Sequence, residues 1–298
     1  MPTLLVFAVL STALAVALLA AAYWGAGILI HPPAMSPMTH FPEQYNVAYE
    51  KVSFRTSDGL ALAGWFVPSP SGLDKTLLIC HGWGDNKGEI LAQTLFLNRA
   101  EGFNLLYFDF RGHGESEGDQ ITLGKQELLD FAAAVEYLKR SRPRCAARLG
   151  VFGLSMGAAV AAMALASHPE FTAAVIESPF ADFNQVGSRW AWMKFHIPHF
   201  PMIMLVMAMA RLRTGHPDID TYSPENFLPK SRVPLLMIAA ERDELMPPED
   251  VRRLFAAARE PKEFWLVPGA AHAKCREAAP ADYDARVAAF LRTYLAGS

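Results

Sequence analysis

Six short apolar runs recur along the chain: "TLLIC" (76–80), "NLLYFDF" (104–110), "RLGVFG" (148–153), "AAVIES" (173–178), "PLLMIAA" (234–240) and "EFWLV" (263–267). Four of the five gaps between them hold a segment that reads as a helix, at 88–100, 128–138, 156–167 and 248–259, and another follows at 282–295. Strands joined through helices pair in parallel, because a parallel neighbour needs a crossover. The runs are apolar at successive positions, so both faces are buried and helices cover both sides. Upstream, "VAYEKVSF" (47–54) and "LALAGWFV" (60–67) flank Ser57-Asp58-Gly59, a turn signal, and read as a hairpin. The expected fold is an α/β, doubly wound, mostly parallel sheet opened by an antiparallel hairpin.

The first 30 residues stand apart. No charged side chain occurs before Glu43, and the uncharged stretch to Ile30 exceeds the roughly 20 residues that cross a bilayer as a helix. Tyr23 and Trp24 near its far end suit a membrane interface. A cleaved signal is the competing reading, with Leu19-Ala20-Ala21-Ala22 as the processing site, and a buried soluble helix is the third. The length of the run and the lack of Lys or Arg before it favour the anchor. Residues 31–46, proline-rich at first, read as a linker, and 47–298 as one domain. With a net charge of −3 and scattered cations, no nucleic-acid surface is expected. Cys80, Cys145 and Cys275 lack metal or disulfide-framework spacing, which leaves Cys145–Cys275 as the one candidate bridge. His196-Ile197-Pro198-His199 lacks the glutamate of a zinc helix, so neither metal nor cofactor is expected.

The remaining gap, about 184–230, is too long for an ordinary loop. It holds Trp190, Trp192, Met193 and a charge-free run over 200–210. It reads as an inserted helical cap whose soft apolar side chains line a substrate pocket, touch a bilayer, or simply pack the cap on the body.

Ligands of open parallel sheets bind beyond the carboxyl ends of the strands. His81, Trp83 and Asp85 follow the first run, Arg111 and His113 the second, and Ser155 the third. Glu241, Asp243 and Glu244 follow the fifth, and His272 the sixth. Gly153-Leu154-Ser155-Met156-Gly157 matches G-x-S-x-G between a strand and a helix, the context in which that motif exposes a nucleophilic hydroxyl. The bland alternative is a serine that starts a helix. A nucleophilic serine needs a base, for which His272 is the candidate, and the base needs a carboxylate. Asp243 is favoured for that role, with Glu241, Glu244, Glu177 and Asp182 as alternatives. The backbone N–H groups of Met156 and Trp83 are the candidate oxyanion donors. Trp83, Trp190, Trp192 and Met193 are the candidate substrate-binding side chains.

In their order and spacing "CHGWGDNKG", "FDFRGHGESEG", "GLSMG", "AERDELMPPED" and "PGAAHAK" resemble the α/β-hydrolase serine hydrolases. The likeness is greatest to the branch of membrane-anchored ABHD-type esterases and monoacylglycerol-lipase-like enzymes, and spans about 47–298. It implies Ser155 as nucleophile, Asp243 as acid, His272 as base, and Trp83 and Met156 as oxyanion donors. It also implies that Asp109 and Arg111 pair beside the site and that His113 is not catalytic. The expected activity is hydrolysis of a small-molecule acyl ester, lipid-like or a thioester, through an acyl-enzyme, by a protein held to the membrane by its N-terminal helix. The alternatives are a peptidase using Glu225 or Asp218 to hold a substrate amine, acyl transfer to an alcohol, and a non-catalytic binding protein.

Overall fold

The computed structural model describes residues 2–31, 36–72 and 74–295, so residues 32–35 of the expected linker lie outside it. The strands are β1 (Glu50–Arg55), β2 (Ala61–Val67), β3 (Lys75–Cys80), β4 (Asn104–Phe108), β5 (Arg148–Leu154), β6 (Phe171–Glu177), β7 (Leu235–Ala240) and β8 (Lys262–Val267). They form one sheet in the order β1-β2-β4-β3-β5-β6-β7-β8. β1, β2 and β4 pair antiparallel, and every pair from β4 to β8 is parallel. β5 therefore sits near the middle of the sheet, with its carboxyl end among those of its neighbours.

Successive strand residues feed two separate cores. Leu78, Leu106, Val151 and Met237 point to one face, and Leu77, Leu105, Phe152 and Leu236 to the other. The helices are α1 (Pro2–Ile30), α2 (Lys87–Thr94), α3 (Phe96–Arg99), α4 (Glu127–Ser141), α5 (Met156–Ala164) and α6 (Phe183–Phe195). They continue as α7 (Met204–Thr214), α8 (Pro224–Phe227), α9 (Pro248–Ala257), α10 (Cys275–Ala278) and α11 (Pro280–Leu295). α4, α5 and α9 cover the first face, through Phe131, Ala159 and Leu254, and α2, α3 and α11 the second, through Ile90, Leu97 and Leu291. The expected helix at 88–100 is broken into α2 and α3. Thr94 Oγ1 donates back to Ile90 O at 2.7 Å, a bond that bends helices, next to the break at Leu95.

Between β6 and β7 the chain adds α6, α7 and α8, with α6 and the helical stretch His199–Thr214 that contains α7 meeting at 110°. α1 is long and apolar enough to span a membrane, and residues 3–17 are exposed on every side. Its last turns are not. Ala22, Ala26 and Ile30 recur at helical spacing and are buried, and Ala26 and Ile30 pack with Ala210 and Val206 of α7. Gly25 allows this approach, since a Cβ there would lie 2.9 Å from Val206 Cγ2. Arg213 donates to Tyr23 O at 2.9 Å and covers the Tyr23 ring, while the Ile121 N–H donates to Ile30 O at 2.9 Å.

The expected Asp109–Arg111 pair is not formed. The chain leaves β4 after Phe108 and turns at Arg111, sending the two side chains to opposite faces of the sheet. Asp109 Oδ2 accepts from Lys87 Nζ of α2 at 2.5 Å. Arg111 bonds Asp130 of α4 at 2.7 Å and Asp58 at 2.8 Å. Nor are Cys145 and Cys275 bridged, since both thiols are free. Burial pushes the Asp130 carboxyl up to about 6 even beside Arg111. Arg111→Met strands that carboxyl in the core and lowers stability by about 3–5 kcal/mol. Thermal unfolding followed by circular dichroism reads this as a drop in Tm of roughly 10 °C; an unchanged Tm would show that the pair contributes nothing.

Candidate active site

Ser155 stands between the last residue of β5 and the first of α5, with φ +53° and ψ −115°. A non-glycine residue so far from the allowed regions stores about 1–3 kcal/mol. The flanking glycines make room for the turn. A Cβ on Gly153 would lie 2.6 Å from Ala158 Cα, and one on Gly157 2.3 Å from Cys80 O. The Ser155 N–H donates to Glu177 O at 2.9 Å, which ties the turn to β6. The side chain makes no cap bond to α5, so the helix-start reading does not describe it. Its Oγ lies 2.9 Å from His272 Nε2.

His272 lies in the loop after β8, and two bonds hold that loop against the loop after β7. Glu241 Oε2 accepts the Gly269 N–H at 2.7 Å, and the Arg242 N–H donates to Ala270 O at 2.8 Å. Across this seam His272 Nδ1 sits 2.7 Å from Asp243 Oδ2. Asp243 is buried, and its Oδ1 accepts the N–H groups of Leu245 (3.1 Å) and Met246 (2.8 Å). A carboxylate so held only accepts, so Nδ1 carries the proton and Nε2 presents a lone pair to the serine hydroxyl. The other carboxylates considered are engaged elsewhere. Glu241 staples the loops, Glu244 is exposed, and Asp182 caps α6 through Gln185 N–H at 2.8 Å. Glu177 is buried, which raises its pKa, and accepts from Tyr283 Oη at 2.5 Å and from the Cys275 N–H at 3.3 Å.

Met156 opens α5, where the first N–H groups have no partner within the helix. The loop after β3 passes beside the serine, and a Cβ on Gly82 would lie 3.5 Å from Ser155 Cβ. Two histidines, to which the sequence assigned no part, pin this loop. His81 Nε2 accepts the Phe110 N–H (3.0 Å) and its Nδ1–H donates to Gly82 O (2.7 Å). His113 Nε2 accepts the Gly84 N–H (3.1 Å) and its Nδ1–H donates to Arg111 O (2.8 Å). Burial pushes both imidazoles below their usual range, His81 well below it. Both are thus neutral, each with one donor and one acceptor, and suited to bridge two loops.

Ser155, His272, Met156 and Trp83 all face one cleft of about 260 Å³. The rest of its wall is apolar and includes Leu29, Leu123, Phe180, Val186 and Trp190. Trp83 meets Trp190 edge to face, with ring centres 5.6 Å apart. Trp192 and Met193 do not line it, contrary to expectation. Trp192 lies about 200° around the helix from Trp190 and is 55% exposed. Met193, a turn beyond Trp190, is 42% exposed. Leu29 was missed altogether, since nothing local in α1 signals that it reaches a serine 126 positions away. Asp218 and Glu225 face away, held by Lys125 at 2.5 Å and Arg253 at 3.7 Å. Among the described residues no group of three or more His, Cys, Asp or Glu side chains is arranged to hold a metal.

A profile of the serine aminopeptidase S33 family matches residues 72–226, which include Ser155 and stop short of Asp243 and His272. An uncharacterised protein of Mycobacterium tuberculosis is 31% identical over 247 residues, covering 82% of this chain and 79% of the relative. The α/β-hydrolase domain-containing protein WAV2 of Arabidopsis thaliana is 26% identical over 226 residues, covering 74% of this chain and 71% of its own. Among solved structures, an esterase of Pyrococcus furiosus superposes with a TM-score of 0.75 at 29% identity, covering 88% of this chain and 97% of the esterase. The α/β-hydrolase GrgF of a Penicillium, at 23% identity and a TM-score of 0.66, shares the fold, covering 84% of this chain and all of its own. By the extent of the profile match and the likeness to these relatives, the chain belongs to the serine aminopeptidase S33 family of the α/β-hydrolase superfamily.

Proposed function

We propose that the protein is a membrane-anchored serine esterase that cleaves carboxylic esters with an apolar acyl group. One observation carries the reading: the run of hydrogen bonds from Ser155 Oγ through His272 to a buried Asp243, opening on an apolar cleft. In the first half-reaction Ser155 Oγ attacks the ester carbonyl and His272 Nε2 takes its proton. Charge gathers on the carbonyl oxygen, where the Met156 and Trp83 N–H groups act as donors; one such donor is worth about 2.7–4 kcal/mol in barrier height. His272 then passes the proton to the leaving alcohol, and the acyl group stays on Ser155. Water enters, gives a proton to Nε2 and attacks the acyl carbon; the acyl–Oγ bond then breaks, Nε2 returns the proton to Ser155 Oγ, and the acid leaves. Asp243 holds the ring in one tautomer and stabilises the imidazolium at both stages.

The family's description invites a peptidase reading. An aminopeptidase needs an anion near the site for the substrate amine. Among the described residues no carboxylate lines the cleft, and Asp218 and Glu225 are paired with cations outside it. Esters are therefore favoured over aminoacyl amides. Retention of α1 in the mature protein is supported by its last turns, which pack into the body and bring Leu29 to the cleft.

Ser155→Ala removes fluorophosphonate labelling and lowers kcat toward a p-nitrophenyl ester by at least about 10³-fold; equal labelling of both proteins would end the nucleophile assignment. Asp243→Asn keeps the fold but lowers kcat by roughly 10⁴-fold, read in the same assay. Aminoacyl p-nitroanilides are turned over at least about a hundredfold more slowly than the matching esters, and the reverse order would favour the peptidase. The full-length protein stays in the membrane pellet after alkaline carbonate washing with its N-terminal segment intact by mass; release or truncation would end the anchor reading.

A further inference from the structure

The cleft at Ser155 shares part of its wall with another space. A second cavity, of about 130 Å³, lies behind it, between α1, α6 and α7. Leu29, Gly187 and Trp190 line both. Each space alone is below the roughly 300–1,000 Å³ of ordinary ligand sites, while the two joined enter that range. Gly187 is the gap in the partition. It is the one glycine inside α6, and a Cβ built on it meets nothing within 4 Å. A glycine inside a helix costs about 0.5–1 kcal/mol relative to alanine, and neither a positive φ nor a close backbone contact requires this one.

The second cavity is a slot with apolar walls. Its α1 side is Ala21, Trp24, Gly25 and Ile28, and Val206 and Met207 of α7 lie opposite. Trp24, 62% exposed, and Phe195, 44% exposed, meet edge to face at 6.1 Å and frame its outer end. That end lies at the level where α1 leaves the body, and beyond it residues 3–17 are apolar or uncharged and exposed all round. Two adjoining apolar cavities thus lie between Ser155 and a membrane-length helix.

We propose that the two cavities join past Gly187 into one channel that holds the tail of a long, unbranched acyl chain, so that the substrate is a membrane lipid ester whose chain runs from Ser155 into the slot walled by α1. This rests on the esterase reading and adds a substrate class and a role for α1 as part of the binding site. Gly187 is the specificity-determining position. A side chain there blocks the passage while leaving the space next to Ser155 open to short acyl groups.

The test uses the full-length protein in detergent micelles with 4-methylumbelliferyl butyrate and palmitate. Gly187→Leu and Gly187→Phe raise the butyrate-to-palmitate ratio of kcat/KM by about tenfold or more, the effect expected from expelling one or more methylenes. Ala21→Trp, which narrows the slot from the α1 side, shifts the ratio the same way. An unchanged ratio in variants that keep the wild-type Tm overturns the channel, and a shift in the Gly187 variants without one in Ala21→Trp overturns the role of α1. A second readout needs no chemistry. In Ser155→Ala, stearate carrying a nitroxide at its tail end quenches tryptophan fluorescence, and adding Gly187→Phe removes the quenching; quenching that persists overturns the channel. A wild type inert to both esters and to fluorophosphonate ends the esterase reading, and the quenching then decides the channel by itself.

Discussion

Everything at the site depends on how closely β5 and α5 approach around Ser155. The strand has to end and the helix begin within one residue, and only glycines at 153 and 157 keep Cβ atoms out of Ala158 and the Cys80 carbonyl. Had either carried a side chain, helix and strand would have to part by about an ångström to restore van der Waals contact, and the serine would lose its aim at His272. The strain stored at Ser155 is held by bonds on both sides, from its N–H to Glu177 O and through the packed start of α5. A sheet buried on both faces is stiff enough to keep a residue in such a conformation.

Around that point the polar groups are arranged in pairs that immobilise loops. Glu241 and Arg242 close the seam between the Asp243 and His272 loops, and His81 and His113 close the one between the loops after β3 and β4. These imidazoles work as structural bridges because burial keeps them neutral. His272, half-exposed in the cleft, faces a carboxylate on one side and a hydroxyl on the other. Three histidines near one site thus have separate parts, set by their surroundings.

The insertion between β6 and β7 joins this rigid body to α1. Its packing on α1 uses small residues, Gly25, Ala26 and Ala210, as close helix pairs do. The cleft's outer wall is therefore made by the segments farthest from the sheet, while Ser155, Asp243 and His272 are all on strand ends and their loops.

Much of this was legible in the amino-acid sequence. The short runs apolar at successive positions and the helical stretches between them determine a doubly wound parallel sheet, because backbone pairing and burial on both faces are local demands. The glycines about Ser155 and the polar residues after β5, β7 and β8 mark one edge of that sheet in advance. Partners that depend on how separate elements meet were not legible. Asp109 and Arg111 are neighbours in sequence yet face opposite sides of the sheet, paired with Lys87 and Asp130. Trp190 and Trp192 look alike in composition, but helix rotation puts one in the cleft and the other in solvent. Leu29 reaches the cleft only because α1 docks on α7. The sequence by itself determined the sheet and the edge that carries Ser155, Asp243 and His272, since those follow from the order of apolar runs and helices and from turn chemistry. Tertiary structure alone decided which charges pair and what walls the cleft, since both depend on packing between segments far apart in the chain.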